Sequence, residues 1–156
     1  MVTLPYAMRH KSLTPILNVS DVPASILWFE RLGFQRSFTW NQGGMIDQAA
    51  LSNDQGPAGF AGLHTSAADN SESIGLFLCR NGQGSRDPRP AVGPDFEQYG
   101  GTWMSWWVMD VDAAHAEYQA AGIEIVKPPV TEPWGVREFL IRHPDGHFFR
   151  VSGAVK

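Results

Sequence analysis

The sequence lacks a pair of cysteines, a long apolar run and a basic cluster, and each absence excludes a class of protein. One cysteine, Cys79, among 156 residues excludes an internal disulfide and fits a reducing compartment such as the cytoplasm. The sequence has no apolar run near the ~20 residues that a membrane-spanning helix needs, and no signal-peptide core near residue 1. It also has no cluster of Lys and Arg, and its net charge is −4. We therefore expect a cytoplasmic protein whose partners include neither a nucleic acid nor a membrane.

Aromatic residues, in contrast, are abundant. The chain has six Trp and nine Phe, while charged residues make up only 18% of it, below the roughly 25% that is usual for globular chains. Aromatic side chains dominate both protein cores and ligand pockets. The composition therefore predicts one well-packed domain and leaves open whether the tryptophans line a pocket.

Residues 132–153 predict a β-hairpin. Two apolar runs, Arg137–Arg142 and Phe148–Val151, flank a His-Pro-Asp-Gly turn in which Pro fixes φ and Gly supplies a positive φ. Polar and bulky residues interrupt both runs, which is typical of a wall of a concave site and also of an edge pair facing water. The two turn histidines, His143 and His147, are expected to be exposed and to diverge.

The chain repeats itself at an offset of 89 residues. Val19-Ser20-Asp21-Val22 matches Val108-Met109-Asp110-Val111, and the same offset aligns Gly33 with Gly122. In each half an Asp caps a helix that a Gly ends, and strands flank it. We expect an α+β fold in one domain, residues 1–156. Two tandem βαβββ modules, about 13–80 and 102–153 with a linker at 81–101, would form a curved eight-stranded mixed sheet around a cleft, with helices outside.

Several residues are candidates for the cleft wall. If strand 102–109 follows the parity of the first strand, one set of its side chains packs against the helix: Met104, Trp106 and Val108. The other set, two indoles around a hydroxyl, faces the cleft and suits a planar or cationic ligand: Trp103, Ser105 and Trp107. Further wall candidates are Trp40, Trp134, Phe139, Phe148 and Arg150. In the second half, Pro128–Pro129 is expected to end the strand that begins at Ile123.

Three segments carry a resemblance to a known family: residues 17–34, 107–122 and 132–151. With these segments in this order, the chain resembles the vicinal oxygen chelate superfamily of glyoxalase I, extradiol dioxygenases, fosfomycin-resistance enzymes and bleomycin-resistance proteins. Trp-Gly-x-Arg-Glu-Phe at residues 134–139 is most similar to the bleomycin-resistance type. The resemblance implies a small-molecule cleft and a homodimer, because clefts in this family often form between chains.

The resemblance also implies where metal-using members carry their ligands. The corresponding positions here are Thr14, Phe77, Trp103 and Arg150. A divalent ion needs converging His, Asp, Glu or Cys ligands, which this set does not supply. We therefore expect no metal and no cofactor, and we favour a binding protein over an enzyme. A glyoxalase-like lyase or isomerase, or a dioxygenase, with a displaced metal site that uses His64, Glu138 or His147 is the alternative.

The expected function is metal-independent binding or sequestration of a planar aromatic ligand, with a modest preference for cations from the net negative charge. A non-catalytic subunit whose cleft is filled by its own tryptophans is a third possibility. Cys79 has no histidine placed near it by the strand pattern and is expected to be inert. His115 is expected to pack between its helix and the sheet.

Overall fold

The computed structural model describes residues 12–41, 44–46, 59–65, 73–80, 84–89 and 100–156. In these residues the chain forms two helices and nine strands, in the order β1 (Ile16–Val19), α1 (Val22–Glu30), β2 (Phe34–Asn41), β3 (Gly44–Ile46), β4 (Phe60–Thr65), β5 (Gly75–Arg80), β6 (Trp103–Trp107), α2 (Val111–Ala120), β7 (Glu124–Thr131), β8 (Val136–Arg142) and β9 (Phe148–Ala154). This succession confirms the predicted α+β fold of two βαβββ modules. Neither helix in the described ranges is long and apolar enough to cross a membrane.

The described strands form two mixed sheets, one per module. Their orders are β1-β5-β4-β2-β3 and β6-β9-β8-β7. In each sheet the first strand of the module pairs in parallel with the last one, and the remaining pairs are antiparallel. Both β1 and β6 lie at a sheet edge, so the two sheets do not join into the one continuous sheet that the repeat suggested. The short β3 adds a ninth strand beside β2.

Both helices begin and end as their sequences predict. The Asp21 carboxylate accepts a hydrogen bond from Ala24 N at 2.8 Å, and the Asp110 carboxylate accepts one from Ala113 N at 3.0 Å. Gly33 and Gly122 follow the helices with φ of +87° and +74°. These are left-handed conformations that glycine adopts at little cost.

Strand β7 continues through Pro128 and Pro129, so the prediction that this pair ends the strand is wrong. The strand lies at the edge of its sheet, and its register with β8 shifts on either side of Lys127. Proline is tolerated on edge strands and at bulges because its missing N–H does not leave a neighbouring strand unpaired.

The two sheets turn their helix-side faces toward one common core. Phe34 of module one contacts Trp106 of module two, with ring centroids 5.7 Å apart, and Phe29 of α1 contacts Phe149 at 5.7 Å. Alternation along the strands then directs the opposite faces away from this core. In the described residues, the outer faces of the two sheets therefore point away from the common core.

Candidate functional site

Strand β6 places its side chains as the parity argument predicts. Trp106 is buried in the common core, and Met104 packs against it. Trp103, Ser105 and Trp107 lie on the other face and are exposed. The outer face of module two therefore carries two accessible indoles on one edge strand.

Trp103 is held flat against the sheet by Phe148. The two residues pair across β6 and β9, and their rings stack with centroids 4.6 Å apart and planes 16° apart. Phe148 is fully buried, whereas Trp103 keeps 37% of its surface exposed. Such stacks contribute about 0.5–1.5 kcal/mol beyond the area that they bury. The stack fixes the indole plane before any ligand arrives.

A pocket lies beside this stack. Its volume is about 130 Å³. It is lined by Trp103, Lys127, Glu132, Trp134, Glu138, Phe139, Leu140 and Arg150, and we call it the indole pocket.

Two ion pairs stand in the indole pocket. Arg150 Nε lies 3.5 Å from Glu138 Oε1, and Lys127 pairs with Glu132. The other oxygen of the Glu138 carboxylate accepts a hydrogen bond from Ser152 Oγ at 3.3 Å. The pocket therefore combines two indoles with two charge pairs.

A second, larger cavity runs along the other end of β6. Its volume is about 580 Å³, and it separates the start of β1 from β6. Ser105 and Trp107 lie here with Leu13, Phe34 and Ile74. We call it the inter-module groove. The residues predicted for one cleft are thus divided between the indole pocket and this groove.

The three remaining wall candidates are Phe139, Phe148 and Trp40. Phe139 borders the indole pocket, but its ring is buried on the helix side against His115 and Tyr118 of α2, at centroid distances of 5.4 and 5.7 Å. This contact confirms His115 as a packing residue. Phe148 lies behind Trp103. Trp40 belongs to β2, but its side chain lies outside the described residues.

The four positions that correspond to family metal ligands do not fit a divalent ion. Phe77 packs its ring against Phe38 and Phe60, at centroid distances of 5.6 and 5.3 Å. Thr14, Trp103 and Arg150 offer no carboxylate, imidazole or thiolate. Among the side chains that the structure describes, no three His, Cys, Asp or Glu converge as metal ligands. His64 instead makes a hydrogen bond with Ser37 at 2.7 Å.

The His-Pro-Asp-Gly turn is buried between the modules, so the prediction of exposed turn histidines is wrong. His147 is 0% exposed. Its Nδ1 accepts a hydrogen bond from Thr102 N at 3.0 Å, which leaves Nε2–H to donate to Asn18 O at 2.6 Å. Because a backbone N–H can only donate, these contacts fix the neutral Nε2–H tautomer.

His143 is fixed in the same way. Its Nδ1 accepts from Asp145 N at 3.0 Å, and its Nε2 donates to Ser25 Oγ in α1 at 3.1 Å. Burial, and then the nearby His147, lower the pKa of His143 to about 3. Burial also lowers the pKa of His147. Both imidazoles are therefore neutral near neutral pH.

Part of the predicted linker belongs to the same buried contact. Asp87 is buried, and its N–H donates to Asp145 O at 2.9 Å. Arg142 donates to Asp87 O at 2.6 Å and also to Arg89 O. The hydrogen bond from Arg89 holds the pKa of the Asp87 carboxyl well below its usual range. The turn thus fastens module two to module one and to the segment between them.

Solved structures share this architecture. TioX from Micromonospora sp. ML1 matches with a TM-score of 0.64 at 22% identity, covering 94% of this chain and 100% of that one. A glyoxalase-related enzyme from Clostridium phytofermentans matches with a TM-score of 0.65 at 16% identity, covering 97% and 100%. A bleomycin-binding protein from Streptomyces verticillus, complexed with copper(II)-bleomycin, matches with 0.56 at 23%, covering 96% and 99%. At these identities the likeness shows the fold alone.

The sequence itself also matches a family model. No curated protein matches the chain. The model of the Glyoxalase/Bleomycin resistance protein/Dioxygenase superfamily, however, matches residues 9–151, which include both modules and the segment between them. The chain therefore belongs to the glyoxalase/bleomycin resistance protein/dioxygenase superfamily.

Proposed function

We propose that this protein binds a small planar aromatic molecule on the outer face of module two, without a divalent metal. The observation that carries the proposal is the Trp103–Phe148 stack, which holds an exposed indole in one plane at the wall of a pocket. Trp134, on the turn before β8, is exposed in the same pocket. A flat ring can stack on such a surface without any reacting group.

The mechanism we propose is capture. Binding lowers the concentration of free ligand in solution. Capture of this kind requires sufficient affinity and enough protein, but no catalytic residue. One solved structure with this fold is a bleomycin-binding protein complexed with copper(II)-bleomycin, so binding of a small molecule is compatible with the fold. Resistance to a toxic compound and binding of a metabolite are both uses of such a pocket.

The chemistry of the side chains at the four ligand positions supports the proposed metal independence. Arg150 carries a permanent positive charge where metal-using members supply a ligand, and this charge repels a cation. Phe77 and Trp103 fill two other positions with apolar rings. The ligand set therefore favours stacking and hydrogen bonding over metal coordination.

We further propose that the protein acts as a homodimer. The outer face of module one carries an aromatic cluster, Phe38, Phe60 and Phe77, that is only partly buried within one chain. The indole pocket of one chain, at about 130 Å³, is smaller than the roughly 300–1,000 Å³ typical of ligand sites. A second copy of the chain that packs its aromatic cluster against the outer face of module two would enlarge and close the indole pocket. Sedimentation velocity should show a dimer that Phe60→Asp dissociates, and a monomeric wild type would contradict this proposal.

The proposal is tested by thermal shift and titration with a panel of planar aromatic compounds. We expect Trp103→Leu to weaken binding by about tenfold or more, since it removes the stacking surface. Trp107→Leu is the matched control, because this indole is even more exposed than Trp103 but lies in the inter-module groove. Unchanged affinity in Trp103→Leu, or no binding of any aromatic compound by the wild type, would overturn the proposed function.

A further inference from the structure

The two ion pairs of the indole pocket expose their cations and bury their carboxylates. The Arg150 side chain is 47% exposed and its partner Glu138 only 9%. The Lys127 side chain is 42% exposed and its partner Glu132 only 11%. A molecule that enters this pocket therefore meets positive charge first, although the formal charges of the four groups cancel.

Glu138 orients the Arg150 guanidinium by contacting it on its Nε side. Glu138 is itself held by Ser152. In the described part of the chain the contact with Glu138 is the one hydrogen bond or ion pair of the Arg150 side chain. The two terminal nitrogens of the guanidinium form a planar fork that matches a carboxylate. Glu138 thus positions the fork without occupying it.

A hydroxyl donor lies next to this fork. Ser105 is the register partner of Arg150 across β6 and β9, and it is exposed. A further cavity of about 240 Å³ is lined by Trp103, Met104, Ser105 and Arg150. The stacking surface, the cationic fork and the hydroxyl therefore border one shared space.

We infer that the ligand class is a planar aromatic acid whose ring stacks on Trp103 and whose carboxylate binds the Arg150 guanidinium. This inference rests on the proposed function and narrows it. It replaces the modest preference for cations that the net charge of −4 suggested. Charges elsewhere on the surface are screened over about 8–10 Å at ordinary ionic strength. The exposed cations inside the pocket are the charges that a bound ligand contacts.

Four probes separate ring recognition from charge recognition. We would titrate the full chain calorimetrically with 2-naphthoate, its neutral amide 2-naphthamide, the cation N-methylquinolinium and the non-aromatic cyclohexanecarboxylate. We expect 2-naphthoate to bind at least tenfold more tightly than each of the other three. It alone offers both a flat two-ring face and a carboxylate.

Variants assign this preference to the arginine. Arg150→Gln should bring 2-naphthoate to the affinity of 2-naphthamide. Arg137→Gln is the matched control, since Arg137 lies on the opposite face of the same sheet in an ion pair with Asp112. Glu138→Gln should strengthen 2-naphthoate binding several-fold, because it removes a negative charge close to the bound carboxylate while leaving a side chain of the same length beside Arg150. A gain of this kind cannot come from a folding defect.

The outcomes distinguish this inference from the proposed function. If the three two-ring probes bind equally, or N-methylquinolinium binds most tightly, the acid inference is overturned and the proposed function stands. The acid inference is also overturned if Arg150→Gln keeps the preference for 2-naphthoate. If no two-ring probe binds, both are overturned. A 2-naphthoate preference that Arg150→Gln abolishes and Arg137→Gln retains supports both.

Discussion

His147 Nε2 lies 2.6 Å from the carbonyl oxygen of Asn18, and this contact joins the last hairpin of module two to the first strand of module one. Both residues are buried. We predict that His147→Ala lowers the free energy of unfolding by about 3 kcal/mol. It leaves buried polar groups without partners and opens a cavity.

Urea denaturation followed by circular dichroism measures this loss. His64→Ala is the control, because His64 also makes a side-chain hydrogen bond but is only half-buried. Its loss should stay within about 1 kcal/mol, since a partly exposed bond is replaced by water. Equal losses in the two variants would show that the hydrogen bond to Asn18 contributes no more to the free energy of unfolding than a partly exposed one.

Acid should destabilise the protein from about pH 6.5 downward. The pKa of His143 is about 3 in the folded chain and 6.5 when unperturbed. Between these values His143 binds a proton in the unfolded chain but not in the folded protein. Its contribution to the free energy of unfolding is therefore fully present above about pH 6.5 and is lost as the pH decreases. The slope for this residue is about 1.4 kcal/mol per pH unit, or about 2 kcal/mol at pH 5. The pKa of His147 is also lowered and acts in the same direction.

The pH dependence is measured by repeating the urea denaturation at intervals from pH 7.5 to pH 5. His143→Gln has no proton to gain in this range and should show a shallower slope. Burial raises the pKa of the Asp145 carboxyl, but hydrogen bonds from Ser20 together with nearby charge, including that of Arg86, bring this pKa below its usual value. Its contribution is lost only near pH 4 and below. A wild-type stability that is constant from pH 7.5 to pH 5 would contradict the buried, neutral state of the histidines.

Gly146 is required by both its backbone angle and its surroundings. Its φ is +88°, and a Cβ added there would lie 1.8 Å from Asp87 O. We predict that Gly146→Ala lowers the free energy of unfolding by more than about 3 kcal/mol, since backbone strain and a steric clash add. Gly33→Ala is the control: its φ is +87°, but nothing lies within 4 Å of the added Cβ. It should lose only about 1–2 kcal/mol. Thermal denaturation compares the two, and similar losses would mean that the turn can move away from Asp87.

Local signals in the sequence were sufficient for much of the fold. The helix ends followed from Asp caps and glycines, and the hairpin of β8 and β9 followed from its turn residues and alternation. The outward position of Trp103 followed from the period of two along β6, because strand alternation is a local property. The same alternation separates Phe139 from its neighbour Glu138, which is the signal that could have placed its ring on the helix side.

Other features depend on contacts between distant parts of the chain. The prolines of β7 are tolerated because the strand lies at the edge of its sheet. The sequence of a single strand does not show its position in the sheet, so this tolerance could not be predicted. The histidines of the turn can be buried because Ser25 and Asn18, more than 100 residues earlier, accept hydrogen bonds from their Nε2–H groups. A turn sequence predicts its own backbone but not the surface that covers it. The exposure of Arg150 above a buried Glu138 is likewise a property of the packed sheet.

Binding of an aromatic compound without a metal is best examined by measuring how this binding depends on divalent ions. The full chain, purified without chelator or added metal, would be analysed for bound metal. It would then be titrated with 2-naphthoate and 2-naphthamide in EDTA and in Zn²⁺, Mn²⁺ or Ni²⁺. We expect no stoichiometric metal, the same Kd in all conditions, and weaker binding by Trp103→Leu. Near-stoichiometric metal in the purified protein, or binding that EDTA abolishes and a divalent ion restores, would contradict this expectation.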